Sequence, residues 1–481
     1  MNMHLHPKLC SLALTMVIVA GTVSAQRGPR RFQRPEAAAP APTTPEEKPA
    51  AKKKVEHWVA IRGGDLYIGD GTVRRRTTLL IGDDTITAIG NDLELPEGCE
   101  IVDASGKVVT PGFCIAKASG FGTASAGTDV REELNPFDPT IKLGLAAGIT
   151  SFLWQSGGGS SGPGGHSALV KLAYGDLDGM VEVVDPVASM RVPLSPGDLA
   201  SLRDLVKQAR EHLAAIKQKS AEEAAKTKPP KGTEEILKVL SGEKRLWIGA
   251  GGGGLRRGRG DFDVATIRQA MEVAELLGVG VVLDGPIEGW LVADEIAATG
   301  SMAVVAPRVR VAADDGRPDE SGSNLAQCAI LAASGVPVTV TPPGGRFGGP
   351  SVGTGGILGQ DLNTPSIDAA FAIRGGMPDR LALRTLTLDA AKIAHAEARV
   401  GSLEVGKDAD VLILDGDPLN YKTFVEVAFV NGKVVYRKDQ EPYYRHIRRR
   451  ETAETKPEST KPESTKPEPT QRGTTERPAG R

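Results

Sequence analysis

Imidazoles, the side chains most expected to do metal chemistry, are few in this chain. The seven histidines are His4, His6, His57, His166, His212, His395 and His446. A zinc-class site needs about three or four convergent N, S or O donors, and these side chains are scattered. His4 and His6 sit in an apolar N-terminal segment, His57 precedes the first strand-like run, His212 lies in a charged helical stretch and His446 in a basic region. That leaves His166 and His395, too few to hold a metal. Cys10, Cys99, Cys114 and Cys328 are widely spaced and form no CxxC knuckle. Buried free thiols are the default expectation, with one bridge as the alternative in an oxidising compartment.

Three glycine-rich runs offer a different chemistry, the binding of anions by backbone N–H groups. Residues 156–165 lead into His166 and a strand-like run carrying Lys171. They read as a flexible loop, or as a lid over an anionic ligand. Residues 249–254 precede Arg256, Arg257 and Arg259, which suggests a basic pocket or a plain exposed loop. No Gly-Lys-Ser/Thr closes this run, so it is not a nucleotide P-loop. The third stretch covers residues 342–346, ending in Arg346, and residues 348–359. Asp284, Glu288 and Asp361 are the nearest carboxylates, each expected as a surface or helix-cap residue.

The elements that must position these groups have two textures. Strand-like runs at 59–61, 66–67, 78–81, 86–89 and 108–109 are separated by turn signals at 69–71 and 82–84, which predicts a small β unit. Beyond Phe113, strand-like runs at 150–154, 245–248, 279–283, 303–305 and 338–340 alternate with helical runs at 199–219, 264–277, 290–298 and 325–333. Such alternation predicts the α/β class, as a parallel barrel or a doubly wound sheet. Strand texture returns at 411–414, 425–430 and 434–436. Each glycine-rich run follows a barrel-type strand, the end at which barrels build their sites.

Composition excludes some partners. A net charge of −2 provides no field for nucleic acid. The apolar run 12–20 is too short to span a bilayer, and Val23, Ser24 and Ala25 fit a cleavage site. Residues 1–25 are therefore expected to be a signal peptide, with export to the periplasm or beyond and no membrane span after cleavage. Residues 26–54, rich in Pro and Ala, read as a linker. The Thr-Lys-Pro-Glu-Ser repeats from Thr455 onward lie in a charged tail, 439–481, that cannot bury enough surface to fold.

The run IVDASGKVVTPGFCIAKAS at 101–119 resembles the opening of an amidohydrolase-superfamily barrel. ALRTLTLDAAKI at 382–393, VGSLEVGKDAD at 400–410, DGDP at 415–418 and VNGKVVY at 430–436 are similar to that superfamily's closing signature. NPF at 135–137 through LAAGIT at 145–150 looks like the barrel's first helix entering its second strand. Imidazolonepropionase-like and prolidase-like exported amidohydrolases are the nearest in pattern. The resemblance implies a TIM-like (β/α) barrel over 111–398. It also implies a small β-sandwich built jointly from 55–110 and 399–438.

It also implies a set of metal ligands, and this chain departs from it. The family's His-x-His falls on Lys117 and Ser119, and a later histidine pattern on Gly249 and Gly251. The imidazole of the next strand is expected at Gly285, and the aspartate of the last strand at Pro343. Lys171 matches a lysine that bridges metals in some relatives, but no histidines accompany it. The expectation is an exported pseudoenzyme with a binding or assembly role, without metal or cofactor. Its pocket would draw on Lys117, His166, Lys171, Arg256, Arg257, Asp284 and Arg346. The alternative is a hydrolase of C–N bonds, non-peptide or dipeptide-like, with a non-standard site. A small anionic ligand and a second copy of the chain are the expected partners. Lys117 either contacts that anion or pairs with Asp284 and seals the site.

Overall fold

The structure, a computed structural model, describes residues 55–122, 130–159, 162–220, 223, 226–251, 262–314, 316–317, 319–343, 352–353, 364–442 and 445. The chain divides into two units, Met1–Lys54 and Val55–Arg481, and the second is described below. The expected signal and linker, Arg256, Arg257, Arg346, Asp361, His446 and the repeats lie outside the described residues. Among the described residues no helix is long and apolar enough to cross a membrane.

The fold opens with β1 (Trp58–Tyr67), β2 (Val73–Gly82), β3 (Thr85–Gly90), β4 (Glu100–Asp103) and β5 (Val108–Pro111). β1 pairs antiparallel with β2, with register shifts between Ile61 and Leu66. Its two halves take different parallel partners, β4 beside Val59 to Arg62 and β5 beside Asp65 and Leu66. Gly63 sits at the change of partner with φ 77°, a left-handed backbone that glycine adopts without strain. The runs at 59–61 and 66–67 are therefore one bulged strand.

The middle of the chain supplies β6 (Phe113–Ile115), β7 (Ala118–Ser119), β8 (Ile149–Ser156), β9 (His166–Lys171), β10 (Val181–Val184) and β11 (Val187–Val192). It continues with β12 (Arg245–Ala250), β13 (Val282–Asp284), β14 (Met302–Val305), β15 (Val338–Val340) and β16 (Val352–Gly353). β11 to β15 form a parallel sheet in chain order. Its crossovers are helices, among them Pro196–Ile216 and Val264–Leu277. Ser195 and Asp263 cap their N-termini through side-chain oxygens, and Gly278 ends the second in the left-handed conformation.

The first strands of this region depart from the uniform parallel alternation expected. β6 pairs parallel with β8, but β8–β9 and β9–β10 are antiparallel. The glycine-rich connection between β8 and β9 is too short for a crossover, which needs about a dozen residues or more. It closes a hairpin instead. Bridges from Gly159 to Met190 and from Gly164 to Ser189 tie this hairpin loop to β11.

Strand alternation separates two faces. Phe152, Val170, Met190, Ile248, Leu283 and Ala303 pack with helical Leu202, Ile267 and Val273 in the outer core. Cys114, Leu153, Leu169, Val187, Trp247, Val282 and Val304 build an inner core, joined by Ala390 and Ile393. The closing strands β17 (Val411–Leu414), β18 (Val425–Val430) and β19 (Lys433–Arg437) return to β5, with Val411 opposite Pro111 and Leu414 opposite Val108. N- and C-terminal strands thus share one eight-stranded sheet. It is hydrogen-bonded throughout as a single sheet built jointly from both ends of the chain. The residues Ile61, Leu79, Val109, Val411, Ile413 and Phe429 give it a core of its own.

Candidate functional site

The inner face of the parallel sheet ends in polar side chains. Register sets Arg191 of β11 beside Gly249 of β12, and Gly249 beside Asp284 of β13. All three point inward, because their neighbours Met190, Val192, Ile248 and Leu283 face the helices. From across this face Lys117, just after β6, donates from Nζ to Asp284 Oδ2 at 2.5 Å. The pair is largely shielded, its side chains 26% and 14% exposed. The second carboxylate oxygen, Asp284 Oδ1, is buried without a hydrogen-bond partner.

Around this pair the glycines leave space. A Cβ on Gly249 would stand 3.8 Å from Asp284 Oδ2, and one on Gly251 would stand 3.2 Å from Arg191 Cβ. Arg191 is exposed and has no hydrogen bond or ion pair among the described residues. On β8, Gln155 shares the inward side of Leu153, and its Nε2 is buried and unpaired. Two cations, Lys117 and Arg191, thus share this rim with one carboxylate. The net positive charge has an exposed guanidinium as its free end.

Two residues of the expected pocket belong elsewhere. His166 occupies the outward register of β9, alternating with inward Leu169, and its half-exposed ring lies 3.8 Å from Asp185 Oδ1. Lys171 does point inward, but β9 runs antiparallel and pairs it with Ser151 near the start of β8. There it is fully buried, donating to Asp408 and to Asn431 Oδ1 at 2.7 Å, with Asp410 Oδ2 at 3.3 Å and Glu182 Oε2 at 3.6 Å. Arg399 completes the cluster, 2.8 Å from Asp408 Oδ1 and 2.9 Å from Glu182 Oε1. Burial opposes the charge on Lys171, but Asp410, Asp408 and Glu182 outweigh it and hold the ammonium above its ordinary pKa. Burial pushes the Asp410 carboxyl up, against the pull of Lys171. Lys171 therefore ties β9 to the closing signature and takes no part in the rim.

The facing of β13 at its end is set by alternation. Asp284, not Gly285, is the inward residue at the strand's end. Gly285 turns away with φ 81°, its N–H donating to Val304 O at 3.0 Å. The inward position at the end of β13 is thus a carboxylate bonded to a lysine. Pro343 is exposed beyond Thr341, and Ser119 lies opposite Gly353 where β7 pairs with β16. Glu288 accepts from the backbone of Val264 at 3.1 Å and of Gly322 at 2.7 Å, a capping role. His395 reaches Gly242 O at 3.1 Å, before the start of β12 and so at the opposite end from Gly249. Burial and then the charge of Arg245 lower its pKa. Sequence reasoning missed Arg191, whose strand alternates small and apolar residues and carries little β-branched signal.

These donors do not fit a catalytic metal. The rim presents an ammonium, a guanidinium and one carboxylate whose oxygen the ammonium already holds, against the three or four lone-pair donors a zinc-class ion needs. Among the described residues no group of three or more His, Cys, Asp or Glu side chains is placed to hold a metal ion. A surface groove of about 510 Å³, lined by Arg268, Glu272, Glu275 and Glu295, lies between outer helices and shares none of the rim residues.

Comparison with known proteins finds similar chains and folds. The Amidohydrolase family model matches residues 345–439. Imidazolonepropionase from Symbiobacterium thermophilum is 26% identical over 406 residues, covering 76% of this chain and 87% of that protein. An amidohydrolase of known structure from Thermotoga maritima MSB8 has a TM-score of 0.59 and 21% identity, covering 79% of this chain and 100% of that one. A prolidase complexed with N-methylphosphonate-L-proline has a TM-score of 0.46 and 15% identity, over 79% of this chain and 100% of that one. The fold is the mixed α/β amidohydrolase fold. Its last part matches the amidohydrolase family, and the chain is similar over most of its length, at low identity, to imidazolonepropionase.

Proposed function

We propose that this chain is a pseudoenzyme of the amidohydrolase superfamily that binds small anions where its relatives hold a metal. In this reading the two inner sheets close as one TIM-like (β/α) barrel. Its mouth lies where Lys117, Arg191, Gly249 and Asp284 converge. The Lys117–Asp284 pair carries the proposal, because an ammonium bonded at 2.5 Å to the one inward carboxylate stands where a cation would otherwise sit. A catalytic metal supplies both positive charge and an activated water. Lys117 and Arg191 replace the charge but cannot lower the pKa of a bound water as a Lewis acid does. No base stands at Pro343 to take a proton. What remains is an electropositive mouth suited to carboxylates and similar anions. Export of the protein, with cleavage after Ala25, completes the reading and rests on the N-terminal sequence.

A thermal-shift screen tests this. Small carboxylates are expected to stabilise the protein, less so at high salt, while matched neutral amides do not. Arg191→Gln and Lys117→Met should each weaken those shifts. Stabilisation by neutral compounds only, or shifts unchanged in both variants, would contradict anion binding.

A further inference from the structure

Away from the mouth, one exposed face is apolar where a solvated loop would be polar. Phe137, just before the helix Pro139–Ala146, is 63% exposed, and Leu177 is 43% exposed. The turn that carries Leu177 is tied to Phe137. Gly175 N donates to Pro136 O at 2.9 Å, and a Cβ on Gly175 would stand 3.7 Å from Phe137 Cε1. Tyr174 supports the face from beneath: Phe137 meets its ring edge-on at 6.0 Å, and Lys142 Nζ lies 4.4 Å from its centroid. Lys142 is itself held, by Val435 O at 2.7 Å and Glu441 Oε1 at 3.2 Å. The aromatic pair is thus ordered before anything binds it, which lowers the entropy cost of a contact there. Pre-ordered aromatic groups are what the centres of protein interfaces are enriched in.

Both signs of charge border this face. Lys433 of β19 donates to Asp176 Oδ2 at 2.9 Å and keeps 69% of its side chain exposed. Asp178, two residues on from Asp176, is exposed and has no hydrogen bond or ion pair among the described residues. A surface that meets itself across a two-fold axis must carry each sign near the other, because residue i contacts j while j contacts i. We propose that this face is a self-association surface whose occupant is a second copy of the chain, independent of what the mouth binds. Phe137 and Leu177 form the apolar centre of each half, and Lys433 of each copy meets Asp178 of the other at the rim. A few side chains make a modest centre against the roughly 800 Å² per partner that stable complexes bury. The association is therefore reversible and concentration-dependent.

Sedimentation velocity of the full chain over the micromolar range tests this. The expected result is a monomer–dimer equilibrium that moves toward monomer in Phe137→Ser and in Leu177→Glu. Each substitution enters a two-fold contact twice, so either should weaken dimerisation about tenfold or more. Both residues are exposed in the single chain, so thermal melts of dilute protein should change little, which separates a lost contact from a lost fold. Asp178→Lys should weaken the dimer, and adding Lys433→Glu should restore part of it. Additive losses in that pair would overturn the rim contact. A monomer at every concentration would overturn the proposal as a whole, and so would a dimer left unchanged by both Phe137→Ser and Leu177→Glu.

Discussion

Lys117 Nζ and Asp284 Oδ2 meet at 2.5 Å across 167 positions of sequence, joining the end of β6 to the end of β13. The contact spans the inner face and leaves the second Asp284 oxygen unpaired. Removing the lysine leaves a largely buried carboxylate without its counter-charge. Lys117→Met should therefore cost roughly 1–3 kcal/mol in urea unfolding. Lys117→Met with Asp284→Leu should recover part of that loss. Additive losses in the double-mutant cycle would show that the two groups do not interact.

The two glycines on this rim should behave differently. A Cβ on Gly249 meets only ordinary contacts, so Gly249→Ala should change stability little. Gly285 holds φ 81°, a conformation that costs an L residue roughly 1–2 kcal/mol. Gly285→Ala should therefore be the damaging change. The reverse order in thermal melts would mean that Gly285, not Asp284, occupies the inward register.

Lys171 is the most consequential buried charge. Lys171→Met would leave Asp408, Asp410 and Glu182 facing only Arg399, at a cost of roughly 3–5 kcal/mol. The pH dependence follows from the carboxyls. Burial already raises Asp410, and loss of the opposing lysine raises it further. A carboxyl with a raised folded pKa favours folding when protonated, and that contribution disappears as pH rises through the folded value. The variant should thus regain stability relative to the wild type as pH falls below neutrality. Lys171, whose own folded pKa is raised, gives its full contribution at every pH below its unfolded value of about 10.4. A gap that stays constant or widens toward acid would contradict the cluster's charge state.

Cys114 and Cys328 are fully buried, and burial pushes both thiols up to about 12. Neither should react with a thiol reagent in the folded protein, and both should react in denaturant. Site-resolved mass spectrometry after brief labelling reads this directly. Rapid native labelling of Cys114 would mean that the inner face opens to solvent.

Much of the fold was legible because periodicity is local. Val338–Val340 and Val264–Leu277 are strand and helix over the very residues their apolar pattern marks. The β8–β9 hairpin was not, since β-branched residues announce a strand without announcing its direction. Reversed, β9 carries Lys171 away from the rim, while alternation with Leu169 leaves His166 outward. The site was legible only as a set of missing ligands. Gly285 looked like the gap until alternation on β13 set Asp284 inward. Arg191 acquires meaning only from the register that puts it beside Gly249. Lys171 and Asp408 lie 237 positions apart, and no spacing rule joins them.

Metal content of the purified protein tests most directly whether the mouth holds a metal. Elemental analysis by plasma mass spectrometry, followed by zinc titration with calorimetric detection, should find well under one equivalent of any transition metal and no tight zinc binding, and Lys117→Met should not create it. One tightly bound equivalent that is lost in Asp284→Asn would contradict the reading, since the Lys117–Asp284 pair and a metal cannot share the same carboxylate.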